Sequence, residues 1–367
     1  MAERRAPLVL VAAGGTGGHL FPAESLSEAL KARGVDIALV TDSRAAKFGG
    51  HFPSVHVVPS ATFRGRDPLS VAMTAGTLAY GTAKALALLA RIKPDAVVGF
   101  GGYPSVPPIF AATLRKIPTI IHEQNGVMGR ANRFLSSRVT AIATGFPLAN
   151  PDGKLAAKIT QIGNPVRPAV LLAAKRPYAV VDAKAPFHIL VFGGSQGARI
   201  MADIVPHAIE RLEPYLQMRL RVVHQARDED IERVRKIYAA ARVEAEVAPF
   251  FSDLPARMAA SHLVISRSGA STVAELAAIG RPAILVPLPH ALDQDQAANA
   301  AVLEKAGGAI RVSQDAFTPD RLAAEIAALA AAPERLTAMA KAAKSAGVLD
   351  AAEQLADLVI RIARLPG

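Results

Sequence analysis

The chain of 367 residues contains no cysteine. That excludes disulfide frameworks, thiolate metal sites and cysteine nucleophiles, and it fits a reducing compartment without requiring one. Tryptophan is also absent, tyrosine numbers only five, and no extended run of consecutive Lys or Arg occurs. Neither a base-stacking platform nor a basic arm is available, so no nucleic-acid partner is expected. A bilayer-spanning apolar run is missing too. The long uncharged stretch from Ala96 to Leu114 is interrupted by Gly99, Gly101, Gly102, Pro104, Pro107 and Pro108. Arg4 and Arg5 ahead of Pro7 to Ala13 imitate a secretory signal, but that apolar run is a strand's length and leads into a glycine turn without a cleavage pattern. It reads as the first strand of a cytosolic domain.

What is present is a globular balance of 51% hydrophobic and 20% charged residues, in a chain longer than one core usually organises. The formal charge of +11 is uneven. Residues 1 to 165 carry 18 Lys and Arg against 9 Asp and Glu, or +9, which leaves +2 for the rest. The anionic partner this implies belongs to the first half, and with nucleic acid disfavoured the candidate is an anionic membrane surface.

Short β-rich runs alternate with Ala/Leu-rich helical stretches, the pattern of an α/β protein with parallel sheets. Strands are expected at Leu8 to Ala13, Val35 to Thr41, Val55 to Val58, Ala96 to Phe100, Thr119 to His122 and Ala141 to Thr144. A second series follows at Ile189 to Phe192, Arg219 to Val223, Val243 to Ala248, Leu263 to Ser266 and Ala283 to Val286. Each series opens with a strand, a Gly-rich turn and a helix start, and the two Gly pairs, at Gly14 and Gly193, lie 179 residues apart. Two doubly wound domains follow, 1–165 and 166–345, with a linker between Ile162 and Pro168. Thr318-Pro319-Asp320 starts a helix, and the helical tail, 346–367 in particular, is expected to pack back on the first domain.

A Gly-rich turn between strand and helix presents unpaired N–H groups and a positive dipole end, which suits phosphate. The dinucleotide fingerprint fails, since Leu20 stands where its last Gly or Ala belongs, and no G-x-x-x-x-G-K-[ST] occurs. Gly193-Gly194-Ser195-Gln196-Gly197 formally matches a hydrolase nucleophile elbow, with Asp253 or Asp293 and His290 or His262 as conceivable triad partners. That reading leaves the first Gly turn without a role. In Ser266 to Glu275 small residues permit close approach of a ligand to the backbone, and Glu275 on the second helical turn could accept ribose hydroxyls. Thr272 and Glu275 also have capping-box spacing, and taken alone the cap is the simpler reading. Asp293-Gln294-Asp295 resembles a metal-diphosphate motif, but Asp228-Glu229-Asp230 shows the same pattern on what reads as a solvated helix face.

Six motifs then occur in order: Gly14-Gly15-Thr16-Gly17-Gly18-His19, Phe100-Gly101-Gly102-Tyr103-Pro104-Ser105, His122-Glu123-Gln124-Asn125, Gly163-Asn164-Pro165-Val166-Arg167, Gly193 to Arg199 and Arg267-Ser268-Gly269-Ala270. Together they resemble the MurG family, the bacterial peptidoglycan N-acetylglucosaminyltransferases, over most of the chain. The resemblance implies a GT-B fold, two Rossmann-like domains facing across a cleft. It implies transfer of N-acetylglucosamine from UDP-GlcNAc to the C4 hydroxyl of the muramyl sugar of lipid I, giving lipid II, peripherally at the cytoplasmic side of the inner membrane. No cofactor and no metal are required, and partners among cell-wall synthesis and division proteins are implied. The first domain would bind acceptor and membrane, the second the nucleotide sugar.

Residue by residue, the resemblance assigns uracil recognition to the backbone of Phe251 and the nucleotide to Ala270, Ser271, Thr272, Val273, Ala274 and Glu275, with Glu275 on the ribose. Gln296 addresses the sugar hydroxyls, Ser195 the phosphate or sugar, and Arg167 lies near the domain junction. Thr16, Gly17, Gly18 and Asn125 complete the donor site from the first domain. Asp295 stands where relatives often have Gln. Tyr103, Ser105 and Glu123 are acceptor-side candidates. An inverting displacement needs a general base, and His19 is the candidate, since a helix N-terminus keeps an imidazole neutral. Its alternative is a hydrogen-bonding role toward the acceptor diphosphate or the turn. The remaining histidines, His51, His56, His188, His207 and His224, show no ligand spacing and read as surface or structural residues. The alternatives to the main reading are a GT-B enzyme with another acceptor or a Ser195 hydrolase. Leu69 to Ile92, apolar and flanked by Arg64, Arg66, Lys84, Arg91 and Lys93, is either an interfacial helix or an ordinary buried one with solvated ends.

Overall fold

The computed structural model describes residues 5–14, 17–43, 52–62, 67–148, 153–182, 184–194, 197–289 and 294–365. The chain divides into two compact units, one of Met1–Arg167 with Leu349–Gly367, the other of Pro168–Val348.

The first unit runs β1 (Leu8–Ala12), α1 (Gly17–Lys31), β2 (Asp36–Thr41), β3 (Val55–Val57), α2 (Pro68–Ile92), β4 (Ala96–Gly99), α3 (Val106–Leu114), β5 (Thr119–Glu123), α4 (Arg130–Ser136), β6 (Ala141–Thr144), α5 (Gly153–Ala156) and β7 (Ile159–Gln161). The strands form one parallel sheet in the order β3-β2-β1-β4-β5-β6-β7, with Leu10 of β1 opposite Ala38 and Val97. Side chains alternate between the two faces of a strand. Val9 and Val11 therefore pack with Leu26 and Leu30 of α1, whereas Leu10 and Ala12 pack with Leu89 of α2, Ile109 of α3 and Leu135 of α4. Helices cover both faces, which is why these strands read as unbroken apolar runs.

The second unit runs α6 (Pro168–Ala173), β8 (Phe187–Phe192), α7 (Arg199–Glu210), α8 (Pro214–Arg219), β9 (Leu220–Gln225), α9 (Ile231–Ala240), β10 (Glu244–Ala248), α10 (Leu254–Ala260), β11 (Leu263–Ser266), α11 (Ala270–Ile279), β12 (Ala283–Leu285), α12 (Asp295–Ala306), β13 (Ala309–Arg311), α13 (Pro319–Ala330) and α14 (Pro333–Ser345). Its parallel sheet has the order β10-β9-β8-β11-β12-β13. Both sheets thus reverse winding direction beside their first strand, between β1 and β4 and between β8 and β11. A doubly wound sheet opens a ligand crevice outside the carboxyl ends of the strands at that point.

Two edge strands, β7 and β13, were not expected from the sequence, and the helical tail is three helices rather than one. Thr318 caps α13 as its sequence suggests, accepting from the Arg321 N–H at 3.3 Å. Pro333 opens α14 anew, and the last helix, α15 (Ala351–Ala363), lies in the first unit. There Leu355, Leu358 and Val359 are buried in the core with Leu26 and Leu30, and Arg33 reaches Asp357 at 2.9 Å.

Helix α2 begins where Asp67 accepts from the Ser70 N–H at 2.8 Å. Two of its glycines are there for opposite reasons. A Cβ on Gly76 would meet nothing within 4 Å, whereas one on Gly81 would lie 2.1 Å from the Pro59 carbonyl oxygen. Gly76→Ala should therefore stabilise the fold by about 0.5–1 kcal/mol through helix propensity. Gly81→Ala, in the same helix, should destabilise it by roughly 1–3 kcal/mol through overpacking. Urea unfolding midpoints of the two variants moving in the same direction would contradict this account.

Candidate active site

In the second unit the turn after β8 closes against its own continuation. A Cβ on Gly193 would lie 2.2 Å from the Ala198 nitrogen, and Gly194 and Gly197 have φ of 94° and 68°, a region that favours glycine. The neighbouring strand holds the turn in place. The Gln225 Oε1 accepts from the Gly193 N–H at 3.3 Å, and the stem of Arg227 packs on Gly197. Arg227 is fixed in turn by Asp230 at 3.1 Å, which Arg233 also binds at 2.8 Å. Burial alone would raise the Asp230 pKa, but hydrogen bonds from Arg233 and Arg227 hold it below the usual carboxylate range. Asp230 is thus a buried anchor, not part of the solvated helix face that its sequence suggested.

A cavity of about 460 Å³ opens over this turn, lined by Gly193, Gly197, Arg199, Arg267, Gln296 and Gln314 among others. Arg267 forms part of its wall. Its guanidinium donates to the carbonyls of Val286 and Pro287, both at 3.0 Å, and to the Gln314 Oε1 at 2.6 Å, and burial lowers its pKa. The Ser268 hydroxyl donates to the Gln296 carbonyl at 2.8 Å, the fully buried Asn299 donates to the Ser268 carbonyl at 3.2 Å, and the Gln296 Oε1 accepts from the Leu288 N–H at 3.1 Å. These bonds tie the start of α12 to the turn that opens α11.

That turn ends at Gly269, which as N-cap has no side chain to satisfy first-turn amides. Thr272 lies inside the helix, so the capping-box reading of Thr272 and Glu275 fails: the cap position is three residues earlier. Glu275 is buried on the second turn, Val273 faces the core, and Ala270 and Ala274 are almost fully covered, with Ser271 and Thr272 half-buried. Phe251 is buried beneath Arg257, whose guanidinium carbon lies 4.3 Å from the ring centroid. Of the residues expected at the donor, Gln296 lies in the cavity wall, while Phe251 and Ala270 to Glu275 are outside the set lining it. Ser195 and Thr16 lie outside the described residues, as do Arg64, Arg66, His51, His290 and Asp293.

The hydrolase triad loses one of its candidates on geometry. His262 directly precedes β11, at the opposite end of the sheet from the Gly193 turn, and its Nδ1 accepts from the His188 N–H at 3.0 Å. Asp253 is held by Arg257 at 2.7 Å. Asp295 accepts from the Gln296 N–H at 2.7 Å, and among the described residues no group of three or more His, Asp or Glu is placed to hold a metal ion.

In the first unit, Gly14 follows β1 where a Cβ would lie 2.8 Å from Pro104, so the turns after β1 and β4 interlock. Gly17 and Gly18 open α1, and the His19 ring lies against Gly101 and Gly102, 3.6 Å from where their Cβ atoms would be. His19 keeps part of its surface open. Burial lowers its pKa, opposed by a hydrogen bond to the Gly14 backbone, so it is neutral near pH 7. Tyr103, which follows Gly102 in the turn after β4, is half-buried, whereas Ser105 is fully buried, its hydroxyl donating to the Gly102 carbonyl at 2.8 Å.

Glu123 ends β5 and is 2% exposed. One oxygen accepts from the N–H and the Nδ2 of Asn125, at 3.0 and 3.2 Å, and the other from the Gly129 N–H and the Asn132 Nδ2, at 2.9 and 2.8 Å. Burial nevertheless raises its pKa. Its neighbour His122 is buried, bonded through Nε2 to the Gly163 carbonyl at 3.1 Å, with its pKa lowered by burial to about 4. The Arg167 guanidinium stacks over Phe21 at 4.6 Å. Sequence reading missed Gln225, Arg227 and Gln314, which work through contacts between segments distant along the chain. The signal available was weak: Gln225 directly ends a strand adjoining the Gly193 turn.

Comparison with known proteins places the two units in one family. Residues 9–144 match the glycosyltransferase family 28 N-terminal domain, and residues 188–355 its C-terminal domain. The chain is 62% identical over 364 residues to a Rhodopseudomonas palustris (strain BisA53) protein, covering 98% of this chain and 97% of that one. It is likewise 62% identical to a Bradyrhizobium diazoefficiens protein, covering 98% and 99%. Both are named UDP-N-acetylglucosamine–N-acetylmuramyl-(pentapeptide) pyrophosphoryl-undecaprenol N-acetylglucosamine transferase. Among solved structures, Acinetobacter baumannii MurG superposes with a TM-score of 0.80 at 29% identity, over 97% of this chain and 99% of that one. The paired doubly wound units have the GT-B architecture, and the chain belongs to the MurG family of family 28 glycosyltransferases.

Proposed function

We propose that this protein transfers N-acetylglucosamine from UDP-GlcNAc to the C4 hydroxyl of the muramyl sugar of an undecaprenyl-pyrophosphoryl acceptor, the step that forms lipid II. The observation that carries this reading is the 62% identity, extending over 98% of the chain, to relatives named for that activity. The second unit takes the donor and the first unit the acceptor. Inversion requires one in-line displacement. The charge that develops on departing UDP is met by preorganised amides at the start of α11 and around the Gly193 turn, a contribution that needs no reorganisation during reaction. Glu275 binds the ribose, Phe251 presents its backbone to uracil, and Gln296 faces the sugar. Thr16, Gly17, Gly18, Asn125, Arg167 and Ser195 complete the donor contacts.

His19 is the general base in this reading, and Tyr103 contacts the acceptor. Ser105 and Glu123 act as supports, because the hydroxyl of one and both carboxylate oxygens of the other are engaged inside the protein. His19→Ala should lower turnover at saturating substrates by about 10²–10⁴-fold. Because the His19 pKa is lowered, the base is deprotonated at neutral pH and is lost as pH falls through a value below 6.5. The parent kcat should therefore decline on the acid side, and the variant should lack that limb. Near-normal turnover in the variant would remove His19 from the role. Glu275→Ala should instead raise KM for UDP-GlcNAc more than it lowers kcat, which steady-state kinetics resolve.

The charge asymmetry and one apolar face support peripheral association with the cytoplasmic leaflet. The first unit, with its returning helix, carries 21 Lys and Arg against 12 Asp and Glu, so +9 of the +11 remains in it. No helix among the described residues is long and apolar enough to cross a membrane. Leu69, Met73 and Tyr80 of α2, Leu114 at the end of α3 and Phe134 of α4 are exposed. Lys84 lies over Tyr80, and Arg138 lies over both Phe110 and Phe134. Each basic residue near an anionic leaflet contributes about 1 kcal/mol. Sedimentation with vesicles at low salt should show tighter binding to anionic than to neutral lipid, and Met73→Glu should weaken it. Equal binding to both vesicle types would refute the membrane assignment.

A further inference from the structure

A second cavity, of about 240 Å³, opens in the second unit at the far end of α11 from the donor-facing turn. Four cations line it, Arg176, Arg281, Lys341 and Lys344, and no carboxylate does. Arg281 is 1% exposed. Its guanidinium is spent on five backbone carbonyls, those of Ala259, Ile279, Gly280, Arg176 and Pro177, and lies 5.5 Å from the Tyr178 ring centroid. The Lys344 Nζ donates to the carbonyls of Ala174 at 2.9 Å and Ala278 at 2.6 Å, leaving one of its three N–H groups. Arg176 and Lys341 are exposed at the rim.

Carbonyls satisfy the hydrogen bonds of these groups but supply no formal counter-charge. Among the described residues none of the four cations forms an ion pair. The partial negative charge at the end of α11 amounts to about half an electron, which one cation would answer. Burial draws Arg281 down to about 10 and lowers Lys344, which the Arg281 charge pushes down further, yet both remain cationic at neutral pH. Buried charge without a counter-charge is costly to maintain. An anion in the adjoining cavity would provide that counter-charge.

We propose that this cavity binds a small phosphate-class polyanion, at a site separate from the donor crevice. Four unopposed positive charges match a dianion or diphosphate better than a lone carboxylate. The remaining Lys344 N–H, the Arg176 guanidinium and the Lys341 ammonium supply the contacts, Arg281 supplies charge alone, and Tyr178 and Ile279 form an apolar wall for the rest of the molecule.

The test is calorimetric titration of the full chain with inorganic phosphate and with diphosphate, in low-salt buffer, for the parent and for Arg176→Ala/Lys341→Ala. Both substituted side chains are at exposed positions, and Lys341→Glu alone provides a second variant should the double one prove unstable. The expected result is saturable binding that weakens at least tenfold in either variant, with UDP-GlcNAc affinity unchanged. Identical titrations in parent and variants would overturn the site. So would a phosphate effect reproduced by chloride at equal ionic strength, which is screening, or full displacement of phosphate by UDP, which would place the anion in the donor crevice.

Discussion

The structure depends on the absence of a side chain at two positions, Gly14 and Gly193. Each follows the first strand of a parallel sheet, where the chain must turn into a helix in little space. A Cβ on Gly14 would strike Pro104 from the turn after β4, and one on Gly193 would strike Ala198 from its own turn. Winding on both sides of a first strand opens a crevice, but the crevice is usable only if the backbone there lies low. Everything expected of the two sites, from the amides of α11 to the placement of His19 against Gly101 and Gly102, follows from that close approach.

Much of this was legible because doubly wound sheets bury both faces of their strands. All the expected strands occur within a residue or two of their sequence bounds, and Leu263–Ser266 and Ala141–Thr144 match at both ends. The two missed strands, Ile159–Gln161 and Ala309–Arg311, are three-residue edges, too short for a periodic signal and beside Pro165 or Gly307-Gly308. Side-chain roles were less legible than strands. Ser105 sits in a motif that points to a ligand, yet its hydroxyl is consumed by Gly102; Asp230 sits in an acidic run, yet it is buried between two arginines. In both cases the partners lie only three residues away along the chain, but which of them the side chain meets is set by the local backbone turn, which residue spacing alone does not carry.

The two crevices are supported by different means. Around Gly193 the support is charge-assisted: Arg233, Asp230 and Arg227 form a chain that ends on Gly197, while Gln225 holds the Gly193 N–H. In the first unit the support is a buried carboxylate. Glu123 gathers the backbone of Asn125 and Gly129 and the side chain of Asn132, and Asn132 also donates to the His122 carbonyl at 3.3 Å. Each Glu123 oxygen has two donors, so the carboxylate at the centre of this network is satisfied, although the Asn132 Oδ1 is buried without a partner.

That economy bears on which group can accept a proton from the acceptor. Burial raises the Glu123 pKa, which taken alone would suggest a base, but a proton arriving on either oxygen would displace donors that hold the loop. His122 binds a carbonyl through Nε2, so that nitrogen carries the proton, and its Nδ1 is buried without a partner where no acceptor sugar can reach. Both are therefore closed to substrate by the contacts that position them. His19 differs in that part of its surface remains open, burial favours its neutral form, and glycines flank it, so no side chain of Gly101 or Gly102 stands between the ring and the crevice. The same lack of side chains that lets the turns interlock also leaves one neutral imidazole uncovered at their meeting point.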